Sequence, residues 1–533
     1  MTRTFHRGTG ALIATVTALL LAFSLIGPAL AATPDSRDDF ELGRFRDVSD
    51  FGDFSTPLNQ SLAILALARA DGTAPPEVAV DLLLTQQCDD GGFPSAFKAP
   101  NTAGAPACSS SVDTTAFAVQ ALHAVGEADA VRDAVAWLVS AQEEGGVFGS
   151  PDGLNANSTG VAAVALDIGA DLGVTGAADA RDAAQDWIVG VQEGCEANER
   201  AGVIPFNAET DGFLVLATAQ AIVGLMAGDL GTLDGTGQAS ATPSNDCGQD
   251  QPALGDPGVA AAAWLASQLE DGERIQTEFD GDFFDAPGPT IDALFAFASL
   301  DDSLAGDEIE NIAAWLQTQV AGYTQGAPFD RDDAAYGGAT AKLALGMIVA
   351  GVEPTDVGGV DLIAQLEALE VTELGEVTVT CGDGPFAPDD EVECSIAGLI
   401  GNETVDVLVE VNPTLLDDAV TADPTGAATF AFALPDDVTE EDTVTITVDG
   451  LGAEGLAGLT LDITEPDPVV DETDQVEEVT DDTDEADEAE EDEETLPETG
   501  GTTALLGLFG LVAIAAGTLT VRTGRRGRKS ITA

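Results

Sequence analysis

The sequence predicts a multidomain fold: an all-α (α/α)6 toroid followed by an all-β sandwich, a disordered acidic spacer and a C-terminal transmembrane helix. Three observations predict it. Amphipathic and wholly apolar helical segments alternate over residues 55–370. Apolar and polar residues then alternate with a period of two over residues 371–464. Beyond them lie an acidic stretch at residues 465–495 and an apolar stretch at residues 501–521.

The first 31 residues have the parts of a secretory signal peptide. Arg3 and Arg7 precede an apolar run, and Ala29 and Ala31 form a small-residue cleavage site. We therefore expect export, with residues 32–54 as an N-terminal linker. An uncleaved membrane anchor is the alternative.

A helical repeat occupies residues 55–370. Its first part is an amphipathic helix with Trp or Leu followed by glutamine, at Leu82 to Gln87, Trp137 to Gln142, Trp187 to Gln192, Trp264 to Gln268, Trp315 to Gln319 and Leu362 to Gln365. Its second part is a more apolar helix, at Leu58 to Arg69, Asp113 to Val125, Thr159 to Ile168, Asp211 to Met226, Thr290 to Leu300 and Gly338 to Ala350. Helices apolar all round are buried, which predicts an inner and an outer ring. An open solenoid is the alternative. One long interval, around residues 231–252, is interpreted as a surface loop.

The loops of this region carry a recurring pattern. Gln87, Gly91 and Phe93 read Q-x3-G-x-F, and Gln142, Gly146 and Phe148 repeat it. The region resembles the prenyltransferase and squalene-cyclase repeat superfamily. We expect the glutamine to bind a neighbouring backbone group and the aromatic ring to pack between adjacent hairpins.

Two short motifs resemble known reactive sites. Asp330, Asp332 and Asp333 match the D-x-D-D string of squalene cyclases, which implies an acid that protonates an alkene; a chance match in an Asp-rich chain is the alternative. The segment that begins at Cys247 is similar to the thioester motif of complement proteins, but Asp250 stands where that motif needs glutamine.

The order of a toroid and a small β-domain also resembles the cobalamin carriers, which implies ligand binding at a funnel mouth. The residues that would line it are Asn59, Asp113, Thr159, Asp211, Asp292 and Tyr336. The alternative is that these residues are solvent-facing helix N-caps. Binding or adhesion is therefore the predicted role, with an extracellular enzyme of terpene-cyclase or glycosidase type as the alternative.

Six cysteines fit an oxidising compartment. Pairing each cysteine with its neighbour along the sequence suggests the disulfides Cys88 with Cys108, Cys195 with Cys247 and Cys381 with Cys394. This is one of the 15 pairings that six cysteines allow. No spacing matches a zinc site, and His123 is the only histidine after the signal peptide. A structural role is expected for His123. The sequence predicts neither a metal nor a cofactor.

The formal net charge of −77 limits the partners. Such a surface repels nucleic acid and anionic lipid, and it suits high ionic strength. We expect a salt-adapted source and a small-molecule, glycan or protein ligand.

Residues 371–464 contain short alternating segments, among them 377–380, 405–411, 428–432 and 444–448. Turn residues separate them, and the region resembles the Ig-like sandwich repeats of actinobacterial wall proteins. Residues 465–495, rich in acidic residues, Pro and Thr, are predicted to be a disordered spacer.

The final segment has three parts in order. Residues 496–500 are Leu496, Pro497, Glu498, Thr499 and Gly500; residues 501–521 are apolar and long enough to span a bilayer; residues 522–533 are basic. This order resembles the sorting signal of LPxTG cell-wall proteins. The resemblance implies that a sortase cleaves after Thr499 and joins it to a peptidoglycan precursor, so that the membrane is contacted only through a transient helix. An ordinary tail anchor is the alternative.

Overall fold

The computed structural model describes residues 38–49, 54–98, 108–151, 153–207, 213–248, 253–279, 281–327, 330, 334–382, 386–401, 403–411, 414–423, 425–439 and 444–450. Within them helices and small sheets form two compact units that divide between Glu376 and Val377. The predicted signal peptide, spacer, sorting motif and transmembrane segment lie outside the described residues. No helix within the described part is both long and apolar enough to cross a membrane.

Six helices of the first unit are almost wholly buried. They are α2 (Pro57–Arg69), α4 (Val112–Val125), α6 (Ala156–Asp171), α8 (Leu214–Leu225), α10 (Pro287–Ala298) and α13 (Gly337–Val349). Each packs against the next in this order, and α13 packs against α2. We call this closed series the helical ring. All six predicted apolar helices are therefore present, with ends shifted by a few residues.

A second set of helices packs outside the ring. They are α3 (Glu77–Thr85), α5 (Ala128–Ala141), α7 (Ala177–Val191), α9 (Pro257–Ser267), α11 (Gly306–Leu316) and α14 (Leu362–Ala368). Each packs on the ring helix of its own repeat, and both sets share one hydrophobic core. The shorter helices α1 (Asp38–Glu41) and α12 (Val320–Thr324) and a 3₁₀ turn at Cys195–Arg200 complete the helical part.

The predicted glutamine contacts are confirmed in three repeats. The side-chain amides of Gln87, Gln142 and Gln192 each donate to two carbonyls, one in the loop that follows and one in the next outer helix, at 2.7–3.0 Å. Gln268 and Gln319 bond only within their own helix ends. The motif therefore joins neighbouring hairpins in the first half of the ring and is lost in the second.

A second recurring contact comes from a threonine in the first turn or so of the ring helices. The hydroxyls of Thr115, Thr159, Thr218 and Thr290 accept from the backbone N–H groups of Phe93, Phe148, Ile204 and Ile275, at 2.8–3.2 Å. Gln60 has the same role in α2, where its carbonyl accepts from Phe45 N–H. These side chains face the loops that enter the ring from the outer helices, and they fix the rotation of each ring helix.

Short antiparallel ribbons precede the ring helices. They pair β1 (Asp47–Val48) with β8 (Ala335–Tyr336), β2 (Phe93–Pro94) with β3 (Ser110–Ser111), β4 (Phe148–Ser150) with β5 (Gly153–Asn155) and β6 (Gln276–Phe279) with β7 (Asp282–Asp285). The β1–β8 pair joins the first and last repeats. It therefore closes the ring between two parts of the chain that are far apart in the sequence.

The long interval interpreted as a surface loop is largely exposed in its described part, and its first part also crosses one side of the ring. Residues 229–241 run across the C-terminal ends of several ring helices: Arg69 at the end of α2 donates to the Leu230 carbonyl at 2.7 Å, and Gln238 donates to the carbonyl of Ala298 at the end of α10. Gly235 N–H donates to the carbonyl of Val349, the last residue of α13. We call residues 229–241 the crossing segment. It covers the C-terminal side of the ring, where the last carbonyls of each helix have no partner within the helix, and it supplies hydrogen-bond donors to some of them.

The second unit contains two three-stranded antiparallel sheets. Their strands are β9 (Thr378–Cys381), β10 (Glu391–Ala397), β11 (Thr404–Glu410), β12 (Thr414–Thr421), β13 (Ala428–Ala433) and β14 (Thr445–Asp449), in the orders β13-β10-β9 and β12-β11-β14. Alternate residues such as Val392, Val407 and Ile446 form one hydrophobic cluster. The period-two prediction is confirmed, while the Ig-like classification stays a prediction.

Three disulfides join the cysteines as the sequence suggested. Cys88 pairs with Cys108, Cys195 with Cys247 and Cys381 with Cys394. All six cysteines are thereby used, and this accords with an extracellular location.

Candidate functional site

The threonine contacts indicate which side chains of each ring helix face the centre of the ring. Successive α-helical residues are rotated by about 100°, so residues two before and two after the threonine point to the opposite side of the helix. Because the threonine faces the outer loops, these two positions face the ring centre. Gln60 takes the place of the threonine in α2, and in α13 the equivalent residue is Thr340, whose hydroxyl accepts from the Gln365 amide of α14. The earlier positions hold Leu58, Asp113, Asn157, Leu216, Gly288 and Gly338, and the later positions hold Leu62, Phe117, Val161, Gln220, Asp292 and Lys342.

The polar residues in these two layers form a group near the N-terminal ends of the ring helices. We call Asp113, Asn157, Gln220, Asp292 and Lys342, which come from five ring helices, the axial site. Farther along the same helices, the core is built from Ala, Leu, Val, Ile and Phe. The axial site is therefore a polar region at the mouth of an otherwise apolar ring.

An ion pair joins two residues of the later layer. Lys342 Nζ of α13 lies 2.8 Å from Asp292 Oδ2 of α10, and their side chains are 13% and 9% exposed. Removing two charges from water costs several kcal/mol each, in order of magnitude, before their attraction is counted. Such a pair is weak evidence for stability alone, and it places fixed charge beside the ring centre.

Asp113 occupies the earlier layer of α4. Burial raises the pKa of its carboxyl group, and the neighbouring Ser158 hydroxyl of α6 opposes that shift in part. Its Oδ1 atom is buried and has no hydrogen-bond partner among the described residues. A carboxyl group in this setting holds a proton more tightly than one in water.

Side-chain polar atoms that are buried without a hydrogen-bond partner in the described residues also include three others in this region, the Ser158 hydroxyl among them. Asn157 is 5% exposed, and its Oδ1 accepts no hydrogen bond; the hydroxyl of Tyr323 is likewise unpaired. That hydroxyl lies near Gly288, and burial together with the negative charges of Asp292 and Asp47 raises the pKa of Tyr323. Buried polar atoms are almost always paired in native proteins, so this cluster requires an explanation.

Exposed apolar side chains lie on the same side of the ring. Phe54, Leu154, Phe213, Phe283 and Phe284 are 39–65% exposed, and each lies within four residues before the start of a ring helix. They make up five of the seven large apolar side chains that are exposed in the described residues. We call them the apolar rim. Apolar groups around a polar centre are typical of small-molecule sites.

The residues predicted to line a funnel have different positions. Asp113 and Asp292 face the ring centre. Thr159 does not line it, because it is fully buried and its hydroxyl binds the backbone of Phe148 on the opposite side. Asp211 lies outside the described residues.

The other two predicted funnel residues connect repeats. The Asn59 amide donates to Asp47 Oδ2 at 3.2 Å, and its side chain packs against Gly338 at the start of α13. Tyr336 is buried, and its hydroxyl donates to Asp330. Both residues therefore hold the junction of the first and last repeats together, beside the axial site.

The residues predicted for catalysis are only partly described. Asp330 accepts the bond from Tyr336, and Asp332 and Asp333 lie outside the described residues. His123 lies exposed in the last turn of α4, far along the helix from Asp113. A histidine in a last helical turn interacts favourably with the helix dipole, which is a structural role.

A surface depression of about 400 Å³ lies beside the Cys195–Cys247 disulfide. Its walls come from the ends of α7 and α9, and Glu196 is the one ionisable side chain among its lining residues. It lacks the buried polar atoms of the axial site, so we regard it as a groove between outer helices.

Sequence reasoning missed Lys342, Asn157, Gln220 and Tyr323. One signal was available: Lys342 is the single charge in a helix of Gly, Ala, Leu, Met, Ile, Val and Thr. Lysine is almost never buried without a partner, so a lone lysine in a buried helix predicts a charged neighbour. Asn157 carries no comparable signal, because asparagine in a first turn is ordinary.

Comparisons with known proteins give low similarities. No family model matches the chain, and no curated protein matches it. A crystal structure of a protein from Actinoplanes is similar to it with 16% identity and a TM-score of 0.38, covering 59% of this chain and 96% of that one. The type II terpene cyclase MstE from Scytonema is similar with 15% identity and a TM-score of 0.35, covering 64% and 98%. The fold described above follows from the contacts of the chain itself.

Proposed function

We propose that this protein is exported, anchored to a Gram-positive cell wall by a sortase, and displays the helical ring as a ligand-binding or adhesive domain. The ordered motif at Leu496–Gly500, the apolar residues 501–521 and the basic residues 522–533 support the anchoring. The three disulfides agree with an extracellular location.

Anchoring is tested by fractionating cells that express the full chain. With Thr499→Ala, the acyl bond to the wall precursor cannot form normally, so the protein should move from the wall fraction to the membrane fraction. Thr503→Ala changes a nearby threonine outside the motif and should leave the protein in the wall fraction. Retention of Thr499→Ala in the wall after boiling in detergent would contradict sortase anchoring.

For the architecture, we propose that the ring and its outer helices are the two concentric layers of an (α/α)6 toroid of terpenoid-cyclase type. The closed contact order of six buried helices supports this. The second unit would then be an Ig-like stalk between the toroid and the acidic spacer. Its two sheets and shared core support that role.

Ligand binding depends on one observation above all: Asp113 Oδ1, Asn157 Oδ1 and the Tyr323 hydroxyl are each buried without a partner among the described residues. A bound molecule would satisfy them. Thermal unfolding of the wild type and of Asn157→Leu in the presence of small polar compounds tests this. A compound that stabilises only the wild type supports binding at the axial site, and equal shifts in both proteins contradict it.

Catalysis is the second candidate, and the raised pKa of Asp113 favours it. A carboxyl group whose pKa is raised by burial is better suited than a solvent-exposed one to act as a general acid toward an alkene or a glycosidic oxygen. Product formation from polyprenyl or polysaccharide substrates, lost in Asp113→Asn and retained in Asp186→Asn, would establish an enzyme. Unchanged turnover in Asp113→Asn would exclude that residue as the acid.

A further inference from the structure

We propose that the axial site binds a small organic molecule through a protonated amino group. The inference deepens the proposed ligand-binding role and depends on it. It rests on the kind of polar atom left unpaired, on the charges around those atoms and on the apolar surfaces beside them.

The unpaired atoms call for donors. Asn157 Oδ1 is a carbonyl oxygen and can only accept, and Asp113 Oδ1 accepts whenever the carboxyl group is ionised. They come from adjacent ring helices, α4 and α6. An ammonium group carries three donors, which matches two acceptor oxygens and the neighbouring Ser158 hydroxyl.

The charges favour a cation over an anion. The ammonium of Lys342 already binds Asp292 at 2.8 Å, so that carboxylate balances its charge. When Asp113 is ionised, the axial site carries two carboxylates and one ammonium. The chain as a whole, at a formal −77, raises the local concentration of cations and lowers that of anions.

The surroundings fit an organic cation better than a bare metal ion. Within the described residues there is no group of three or more His, Cys, Asp or Glu placed to hold a metal. Phe117 of α4 occupies the later layer one turn below Asp113 and is partly exposed, so its ring can face a cation. The apolar rim offers surface for a carbon skeleton.

Calorimetric titration of the full-length protein at fixed ionic strength tests the proposal with three probes of one shape: n-butylammonium, n-butanol and butyrate. We expect n-butylammonium to bind at least about tenfold more tightly than the other two. Asp113→Asn and Asn157→Leu should each weaken it by about 10- to 100-fold, since a hydrogen bond to a charged group is lost. Asp186→Asn removes the same charge from the exposed face of α7 and should leave binding unchanged.

The outcomes separate this inference from the broader function. Preferential binding of butanol or butyrate that still depends on Asn157 would overturn the ammonium assignment and leave a binding site in place. Displacement of n-butylammonium by sodium at millimolar concentration would assign the site to an inorganic cation instead. Failure of every probe would overturn the inference, whereas anchoring is decided independently by the Thr499→Ala fractionation. Circular dichroism of each variant separates loss of binding from loss of fold.

Discussion

Asp113 shows how one buried group links stability to pH. Because burial raises the pKa of its carboxyl group above the usual 3.8, the folded protein binds this proton more tightly than the unfolded chain. The resulting stabilisation is fully present below the unfolded pKa and is lost as the pH rises through the folded pKa. We therefore predict that Asp113→Asn gains stability relative to the wild type as the pH rises from acid to neutral.

The measurement is urea unfolding of both proteins from pH 3 to pH 8. The free-energy difference should be near zero at the acid end and should grow with pH until Asp113 is ionised in the folded state. Asp186→Asn, on an exposed helical face, should track the wild type. A difference that is constant with pH would show that Asp113 ionises normally.

The Lys342–Asp292 pair gives a second prediction at this scale. Lys342→Met leaves a buried carboxylate without its partner and should destabilise the fold by about 3 kcal/mol. Adding Asp292→Asn removes the orphaned charge, so the double variant should recover much of the loss. Chemical denaturation of the two single variants and the double variant measures the coupling. Additive losses would mean that the two charges act independently.

Thr159 provides a third prediction, because its hydroxyl is the partner of the Phe148 N–H. Thr159→Val keeps the shape and leaves that buried donor unpaired, at a cost of about 1–3 kcal/mol in the free energy of unfolding. Thr318→Val makes the same change at an exposed helix end and should cost less than about 0.5 kcal/mol. Equal losses in thermal or denaturant unfolding would show that the Phe148 contact is unimportant.

At the scale of elements, the crossing segment covers the C-terminal ends of several ring helices and takes the place of solvent there. Arg69 is its main polar link to α2, and the charges of Asp229 and Asp234 lie close to the guanidinium. Arg69→Met should destabilise the protein by about 1–3 kcal/mol and accelerate amide hydrogen exchange within residues 229–241.

Arg132→Met supplies the comparison for that prediction. Arg132 is 47% exposed and pairs with Asp129 on the outer helix α5, so its loss removes the same charge with little effect on stability. If Arg69→Met left the exchange rates of residues 229–241 unchanged, the Leu230 contact would not hold the crossing segment in place.

The helices were predictable from the sequence, and the contacts between repeats were predictable only in part. Gln87 and Gln142 stood in a repeated motif, so their role in joining hairpins could be inferred. The threonine contacts could not, since Thr115 and Thr159 sit among Ala, Val and Gly with no recurring neighbour to mark them. The surface position of the crossing segment was predicted, but its contacts with the ring were not, because partners such as Arg69 and Val349 lie more than a hundred residues away in the chain.

The candidate site was predictable only in part, because its residues also come from helices that are far apart in the sequence. Asp113 and Asp292 were found because acidic residues at the starts of buried helices are conspicuous. Thr159 was assigned to the same face, but an uncertainty of two residues in the helix start moves a side chain to the opposite side. Asn157 became visible only once the rotation of its helix was fixed by Thr159, whereas Lys342 carried a signal in the sequence that was not used.

At the scale of the whole molecule, the two sides of the ring have different chemistry. The crossing segment satisfies backbone carbonyls on the C-terminal side and buries its own Leu230 and Leu233. On the N-terminal side the described residues include the buried, unpaired polar atoms of the axial site and the exposed side chains of the apolar rim. The two sides therefore differ in chemistry, and the N-terminal side is the one that suits the proposed ligand-binding role.

Charge is the remaining property of the whole chain, and it leads to the final prediction. A formal charge of −77 makes the folded state repel itself, and dissolved salt screens that repulsion over a Debye length that falls from about 30 Å at 0.01 M to about 3 Å at 1 M. The melting temperature should therefore rise steeply over this range of sodium chloride concentration. Most of the rise should come below about 0.2 M, where the Debye length already approaches the spacing of surface charges. A melting temperature that climbs only above 1 M would point instead to strengthened apolar burial, and sucrose, which strengthens burial without screening charge, distinguishes the two causes.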